Sequence, residues 1–302
     1  MLRQSIAATA ATNPVSNPRI LVHYDADAGE QPENIVAEPD GHLIVTLDFV
    51  RQIVRLTPQG GQEVLATLPA PPDSGADVPV THTALATGLV LTADKTIHVG
   101  YVAGDARFTG IWRLEADAPP RRVTALPADS FPNGMAADER SGALYIADSI
   151  RGAIWRAPIS GGDAEVWAAG EELAPITILG ANGLKVHGGF VFVSNSDHKT
   201  LLRYPIGSDG AAGVVQTVAS GHALDDFTFV DDTDVVAASL NLENEVALIQ
   251  PDGSFQIVLT AADGLQTPSA ALVRSGRIYV LSSAHFTHVD PNILVADFAP
   301  ST

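Results

Sequence analysis

Read for polarity alone, the chain repeats one pattern six times. A polar or small residue is followed by a short apolar stretch, a polar turn and a second apolar stretch. The six copies are ENIVAEPDGHLIVT from Glu33, TGLVLTADKTIHVG from Thr87, NGMAADERSGALYIAD from Asn133, NGLKVHGGFVFVSN from Asn182, DFTFVDDTDVVAAS from Asp226 and SAALVRSGRIYVLS from Ser269. Short apolar runs bounded by turn residues predict strands. The turns carry Pro39-Asp40-Gly41, Gly188-Gly189 and Ser275-Gly276, residues that accept positive φ or make local turn hydrogen bonds, so each copy predicts a hairpin. Third strands follow at Gln52, Gly110, Ala153, Leu201 and Val246, and fourth strands at Glu63, Arg122, Ala164, Val214 and Phe255.

The first positions of the copies recur every 43 to 54 residues. Four strands on such a period make a propeller blade. The expected fold is therefore all-β: a six-bladed β-propeller with four-stranded blades. The last copy lacks an outer strand, and RILVHY from Arg19 has the right pattern to supply it beside NILVADF from Asn292. That closure by the N-terminal strand pairs edges otherwise left free. Residues 19–302 then form one domain, and residues 1–18 a flexible N-terminal tail. A β-sandwich is the alternative fold, but it has no need for one period along the whole chain.

Composition narrows the function. Without cysteine, disulfides, zinc–thiolate sites and cysteine nucleophiles are excluded. The 17 basic against 35 acidic residues give a net charge of −18, which disfavours nucleic acid and anionic membrane surfaces as partners. The expected partner is a small-molecule substrate, and the expected state a monomer or weak homo-oligomer. The opening MLRQSIAATAATNP lacks the strong apolar segment of a secretory signal, so the expected compartment is the cytoplasm.

In a propeller the innermost strands surround the axis, so their equivalent starts face one another. These read Glu33, Thr87, Asn133, Asn182, Asp226 and Ser269. Four offer carboxylate or amide oxygen and none offers sulfur or imidazole, which is a hard-cation donor set. Two carboxylates balance one divalent ion, with Asp225 able to replace or assist Asp226. The expected metal ligands are Glu33, Asn133, Asn182 and Asp226, and the expected cofactor is one divalent ion, calcium foremost, with zinc, manganese or magnesium as alternatives. Taken singly, Asn133-Gly134 and Asn182-Gly183 also read as turns.

The pieces Pro-Glu-Asn at 32–34, FPNGMAAD at 131–138, ALYIADSIRGAIWRAP at 143–158, ANGLKV at 181–186 and DDFTFVDD at 225–232 resemble the regucalcin/gluconolactonase family, and more remotely paraoxonases and strictosidine-synthase-like propellers. The resemblance spans residues 32–282. It implies one divalent metal held by Glu33, Asn182 and Asp226, with Asn133 a ligand or substrate contact. Two departures stand out: Glu33-Asn34-Ile35 replaces the family's Glu-Gly-Pro, and Thr87 stands where paraoxonases carry histidine.

The implied function is metal-dependent hydrolysis of lactones or related esters. The alternatives are a biosynthetic cyclase or isomerase that orients a small molecule in the channel, and a non-enzymatic binding protein with a structural cation. Candidate catalytic groups are Asp226 and the histidines of loops on the ring's face: His82, His198 and His222, with His285 as a further member. Asn133, Thr87, Asp148 and Phe131 are the candidate substrate contacts; Phe131, Phe227 and Phe286 form either an apolar rim or packing between blades.

Overall fold

The computed structural model describes residues 12–115 and 118–299. Its strands form six antiparallel four-stranded sheets. Strand β1 (Val15–His23) comes first in the chain. Blade 1 is β2 (Pro32–Ala37), β3 (Leu43–Leu47), β4 (Gln52–Leu56) and β5 (Gln62–Thr67). Blade 2 is β6 (Leu85–Leu91), β7 (Ile97–Val102), β8 (Gly110–Leu114) and β9 (Arg121–Ala125). Blade 3 is β10 (Pro132–Asp138), β11 (Ala143–Asp148), β12 (Ala153–Pro158) and β13 (Glu165–Ala169). Blade 4 is β14 (Ala181–His187), β15 (Phe190–Asn195), β16 (Thr200–Pro205) and β17 (Gln216–Ser220). Blade 5 is β18 (Leu224–Phe229), β19 (Val236–Leu240), β20 (Glu245–Ile249) and β21 (Phe255–Leu259). Blade 6 joins β22 (Pro268–Arg274), β23 (Arg277–Ser282) and β24 (Asn292–Phe298) to β1.

The six-bladed ring closed by the N-terminal strand is thus the fold. The closing strand starts at Val15, four residues before Arg19, with Val15 opposite Phe298 and His23 opposite Asn292. Of the expected tail, residues 12–14 already touch the blades, since Asn13 Nδ2 donates to the Val258 carbonyl at 2.9 Å. Residues 1–11 lie outside the described residues.

Burial follows position in the blade. The second strands β3, β7 and β11 are buried throughout, because each blade is sandwiched between two others, whereas the outer strands β5 and β13 are largely exposed. Alternate side chains go to alternate neighbours. Ile44 and Ile53 of blade 1 pack against Val99 and Tyr101 of blade 2, and Val45 and Val54 against Tyr279 and Leu281 of blade 6. Fully burying an aliphatic side chain contributes about 1.5–3 kcal/mol, so the seams between blades are where the apolar driving force resides.

Hydroxyls stitch the seams near the axis. Thr46 donates to the Thr87 carbonyl, Thr87 to Pro132, Ser149 to Ala181, Ser194 to Asp225 and Ser269 to Pro32, each reaching the adjacent blade. Every inner strand also carries a one-residue register slip against its neighbour close to its start: Pro132 pairs with Asp148 but Met135 with Ile146, and Pro268 with Ser282 but Ala270 with Leu281. An extra residue bends a strand and re-aims its side chain. Here it turns the same position of all six blades toward the axis.

Candidate functional site

The bulges fix which residues are equivalent. Ala181 pairs with Asn195 and Leu184 with Val193, just as Leu224 pairs with Leu240 and Phe227 with Ala238. Asn182 therefore corresponds to Asp225, and Gly183 to Asp226. The ring is Glu33, Thr87, Asn133, Asn182, Asp225 and Ser269, which corrects the expected set in blade 5. The reason is steric. A Cβ on Gly183 would lie 2.5 Å from Asp226 Oδ1 and 2.6 Å from its Cα, so the carboxylate of Asp226 fills the space that glycine leaves.

The glycines of the Asn-Gly pairs are likewise not turn residues. Gly134 and Gly183 sit inside β10 and β14, and neither has a positive φ. They allow inner strands to approach: a Cβ on Gly134 would meet the Leu184 nitrogen at 2.4 Å.

Asp226 is unavailable as ligand or base. Its Oδ1 and Oδ2 accept from Lys185 Nζ at 2.6 and 2.7 Å, Oδ2 also from Asn34 Nδ2 at 2.8 Å, and Oδ1 from the Phe227 amide at 2.8 Å. The Lys185–Asp226–Asn34 cluster forms a charge-neutral floor across the channel. Below it opens a cavity of about 390 Å³ lined by Asn34, Lys185, His187 and Phe229.

Above the floor the hydrogen-bonding logic differs. Ser149 Oγ spends its proton on the Ala181 carbonyl and accepts from Asn133 Nδ2 at 3.2 Å. Ser196 Oγ spends its proton on the Leu224 carbonyl and accepts from Asn182 Nδ2 at 2.9 Å. A hydroxyl already donating can only accept, so each amide must turn its NH₂ to the serine and leave its Oδ1 free. Asn182 Oδ1 is buried without a partner, as are Glu33 Oε2 and Asn241 Oδ1. Buried polar atoms are normally satisfied, so these acceptors, gathered at one level of the channel, are open to a donor or a cation.

His285 stands beside this ring. Its Nε2 is 2.6 Å from Asp48 Oδ2 and 4.0 Å from Glu33 Oε2. It follows Ala284, which has φ +53°, in the connection between β23 and β24. Gln31 Nε2 ties that connection to blade 1 by donating to the Ser283 carbonyl at 2.9 Å. The dyad thus spans the seam where the ring closes. Ligand atoms of Glu33, Asp48 and His285 all lie within 4.8 Å of one another, a second donor set that overlaps the oxygen ring.

Burial dominates the electrostatics of both sets. Burial, with the charges of Asp225, Asp48 and Asp226, pushes the Glu33 carboxyl well above the usual carboxylate range; His285 pulls it back. Burial pushes Asp225 up to about 7, with Asp226 adding to the rise and His285, Asn241 and Asn182 opposing it. Burial also raises Asp48, and the His285 hydrogen bond resists. For His285 itself burial works against the charge, but the Asp48 hydrogen bond and the negative charges of Asp48, Glu33 and Asp225 prevail and raise it to about 9. In the metal-free protein burial thus favours protons on the carboxyls while His285 keeps its charge, and the oxygens of Glu33, Asn133, Asn182 and Asp225 are of the donor type a hard ion takes.

The other expected residues separate from this centre. Thr87 is fully buried and spends its hydroxyl on the Pro132 carbonyl, so it stitches blades rather than meeting a substrate. Asp148 is fully buried and accepts from the amides of Phe131 and Arg151 and from Trp155 Nε1 at 2.9 Å, holding the turn after β11. Phe131 packs with Leu85 and Val102 across a blade seam, and Phe227 packs between blades 4 and 5, whereas Phe286 is 63% exposed. His198 is exposed on the β15–β16 turn, and His82 is exposed with φ +50°, its Nδ1 3.3 Å from the Ala76 carbonyl. His222 lies against Phe255 with the rings tilted at 45°, and its Nδ1 is 3.7 Å from Glu243 Oε1. Of the four rim histidines only His285 touches the ring, because its loop is drawn over the axis by Gln31. Sequence analysis gave no role to Asn34, noted only as a departure from Glu-Gly-Pro, or to Lys185, although a lysine within the inner-strand pattern NGLKV was a visible signal.

No family model and no curated protein matches the sequence. Solved structures do match in fold. A gluconolactonase from Xanthomonas campestris superposes over 99% of this chain and 100% of its own with a TM-score of 0.65 at 18% identity. A luciferin-regenerating enzyme superposes over 93% and 95% with 0.66 at 12% identity. A catalytically inactive histidine-to-alanine variant of virginiamycin B lyase from Staphylococcus aureus, solved with quinupristin, superposes over 93% and 100% with 0.62 at 12% identity. These likenesses are of fold alone, and agree with the propeller whose six blades the chain's own sheets show.

Proposed function

We propose that this chain is a metal-dependent hydrolase of lactones or related esters, acting at the upper end of the propeller channel with one divalent cation, calcium foremost. The observation that carries the reading is the pair of buried, partnerless oxygens Glu33 Oε2 and Asn182 Oδ1, at the ring level shared with Asp225 and Asn133. Glu33, Asn133, Asn182 and Asp225 would hold the ion. An all-oxygen set suits calcium better than zinc, which favours nitrogen and sulfur. When bound, such a cation polarises a carbonyl and offsets negative charge as the ring opens.

The chain's own groups complete the chemistry. Asp48 holds His285 Nε2, so Nδ1 is the nitrogen left to take a proton from attacking water and return it to the leaving oxygen. Asp48 acts as a positioning residue, fixing the tautomer and steadying the imidazolium. Glu33 and Asp225 spend their charge on the cation, so His285 holds its proton less tightly than in the metal-free protein. The gluconolactonase fold neighbour supports the hydrolase reading.

The test is lactone opening before and after chelation. Activity should vanish with the metal and return with calcium. Turnover that survives complete metal removal, verified by elemental analysis, overturns the proposal. The His285–Asp48 pair favours one second reading, proton abstraction from carbon in a lyase or isomerase, in keeping with the lyase neighbour whose histidine variant is inactive. Product mass separates the two: hydrolysis adds one water, whereas elimination and isomerisation add none.

A further inference from the structure

Large exposed apolar side chains are not scattered evenly over this surface. Of the nine among the described residues, Val80, Ile176, Ile178, Leu242, Phe286 and Val289 lie on connections at the ring's face. The turns of the opposite face contribute only Val214. Beneath this crown, half-buried Phe49, Ile150 and Leu179 pack on buried Leu85 and Phe131 in one cluster running from blade 1 to blade 4. The cluster adjoins the ring residues along the chain. Leu85 precedes Thr87 by two residues, Phe131 precedes Asn133 by two, Leu179 precedes Asn182 by three, and Phe49 follows Asp48. The Phe49 ring centroid is 6.0 Å from that of His285.

Two polar side chains on these connections, Asn195 and Asp197, are committed to the backbone. Asn195 donates to the Glu172 and Ala174 carbonyls and accepts from the His198 amide. Asp197 Oδ2 accepts from the amides of Ile176, Thr177 and Ile178 at 2.8, 2.6 and 2.8 Å, which fixes the lip bearing two crown residues. A molecule approaching the ring from this face passes the exposed crown and the half-buried Phe49, Ile150 and Leu179.

We propose that the site takes lactones or esters bearing an extended apolar chain or ring, rather than polyhydroxylated sugar lactones; the inference rests on the hydrolase reading above. The polar ring would grip the reacting carbonyl while the wall covers the apolar remainder. Single large apolar residues on a surface are ordinary, but a crown continuous with a channel wall marks a binding surface.

The experiment uses the full chain loaded with calcium. kcat/KM is measured for glucono-δ-lactone and for γ-lactones from butyro- to dodecanolactone, and binding of the same series is followed by thermal shift. The expected result is a rise of up to about fourfold per added methylene while the chain reaches the wall. Leu179→Ser should flatten that rise, and glucono-δ-lactone should be the poorest substrate. Glucono-δ-lactone opened as well as decanolactone, or a length series without slope in rate and binding, overturns the inference while leaving the hydrolase reading in place. Length-dependent binding with no lactone opened sustains the apolar site and overturns the hydrolase reading. Partition of the protein onto neutral lipid vesicles, or dimerisation abolished by Phe286→Ser, in the absence of length-dependent binding, assigns the crown to another occupant and overturns the inference.

Discussion

Raising the pH should weaken the metal-free fold, and calcium should reverse the effect. His285 is raised from 6.5 to about 9 in the folded chain, and Asp225 from 3.8 to about 7. In both cases the folded state binds more protons than the unfolded chain between the two values, so stability falls as pH rises through the window. From pH 5 to 9 the His285 window runs from 6.5 to about 9 and that of Asp225 from 5 to about 7. Each amounts to about 3 kcal/mol at 1.36 kcal/mol per pH unit, and the sum of about 6 kcal/mol is a ceiling because the two charges support each other. Glu33 and Asp48, also raised, act in the same direction. The measurement is the urea midpoint and Tm of chelator-treated protein across this range, where a loss of several kcal/mol lowers Tm by roughly 10 °C. Asp225→Asn should remove its share of the slope. Calcium at about 100 times its Kd should restore about 2.7 kcal/mol at the alkaline end, where the ligands are ionised, and less at pH 5. A stability that is flat or rising from pH 5 to 9 without metal would refute these charge assignments.

Three further outcomes test the site's architecture. Asp225→Asn should weaken calcium binding, read by titration calorimetry, on the order of 100-fold, because affinity at such sites follows the number of charged ligands; Asp226→Asn should change it far less while destabilising the fold by about 3–5 kcal/mol, since Lys185 loses its buried counter-charge. Converting the floor to Lys185→Met with Asp226→Leu should recover much of that loss in denaturant melts. His285→Asn should lower kcat by about 10²- to 10⁴-fold with calcium affinity nearly unchanged, whereas an equal loss of both would make His285 a ligand.

The repeat was legible in the sequence because each blade needs the same alternation, buried toward two neighbours. The closing strand could be read from RILVHY, and its start slipped by four residues only because Val15 also packs against the blade 5–blade 6 seam. The ring was legible through Glu33, Asn133 and Asn182, whose residue types declare themselves. Asp225 and Asp226 were not separable. An adjacent pair of the same residue type gives no periodicity signal, and a bulge in every inner strand resets the parity by which strand residues are assigned to faces.

The same bulge explains why the channel divides into an acceptor-rich ring and a self-neutralised floor. Successive residues, Glu33-Asn34 in blade 1 and Asp225-Asp226 in blade 5, contribute one side chain to each level. Asn34 and Asp226 meet at 2.8 Å and are closed off by Lys185 rising from the third position beyond Asn182. Were Lys185 absent, Asp226 would add a further buried negative charge immediately below the ring. The departure of Glu33-Asn34-Ile35 from Glu-Gly-Pro is part of that arrangement, because Asn34 supplies a donor to Asp226 that glycine lacks. The ammonium of Lys185 is thus what allows two adjacent aspartates to share one strand, one of them free to serve the ring.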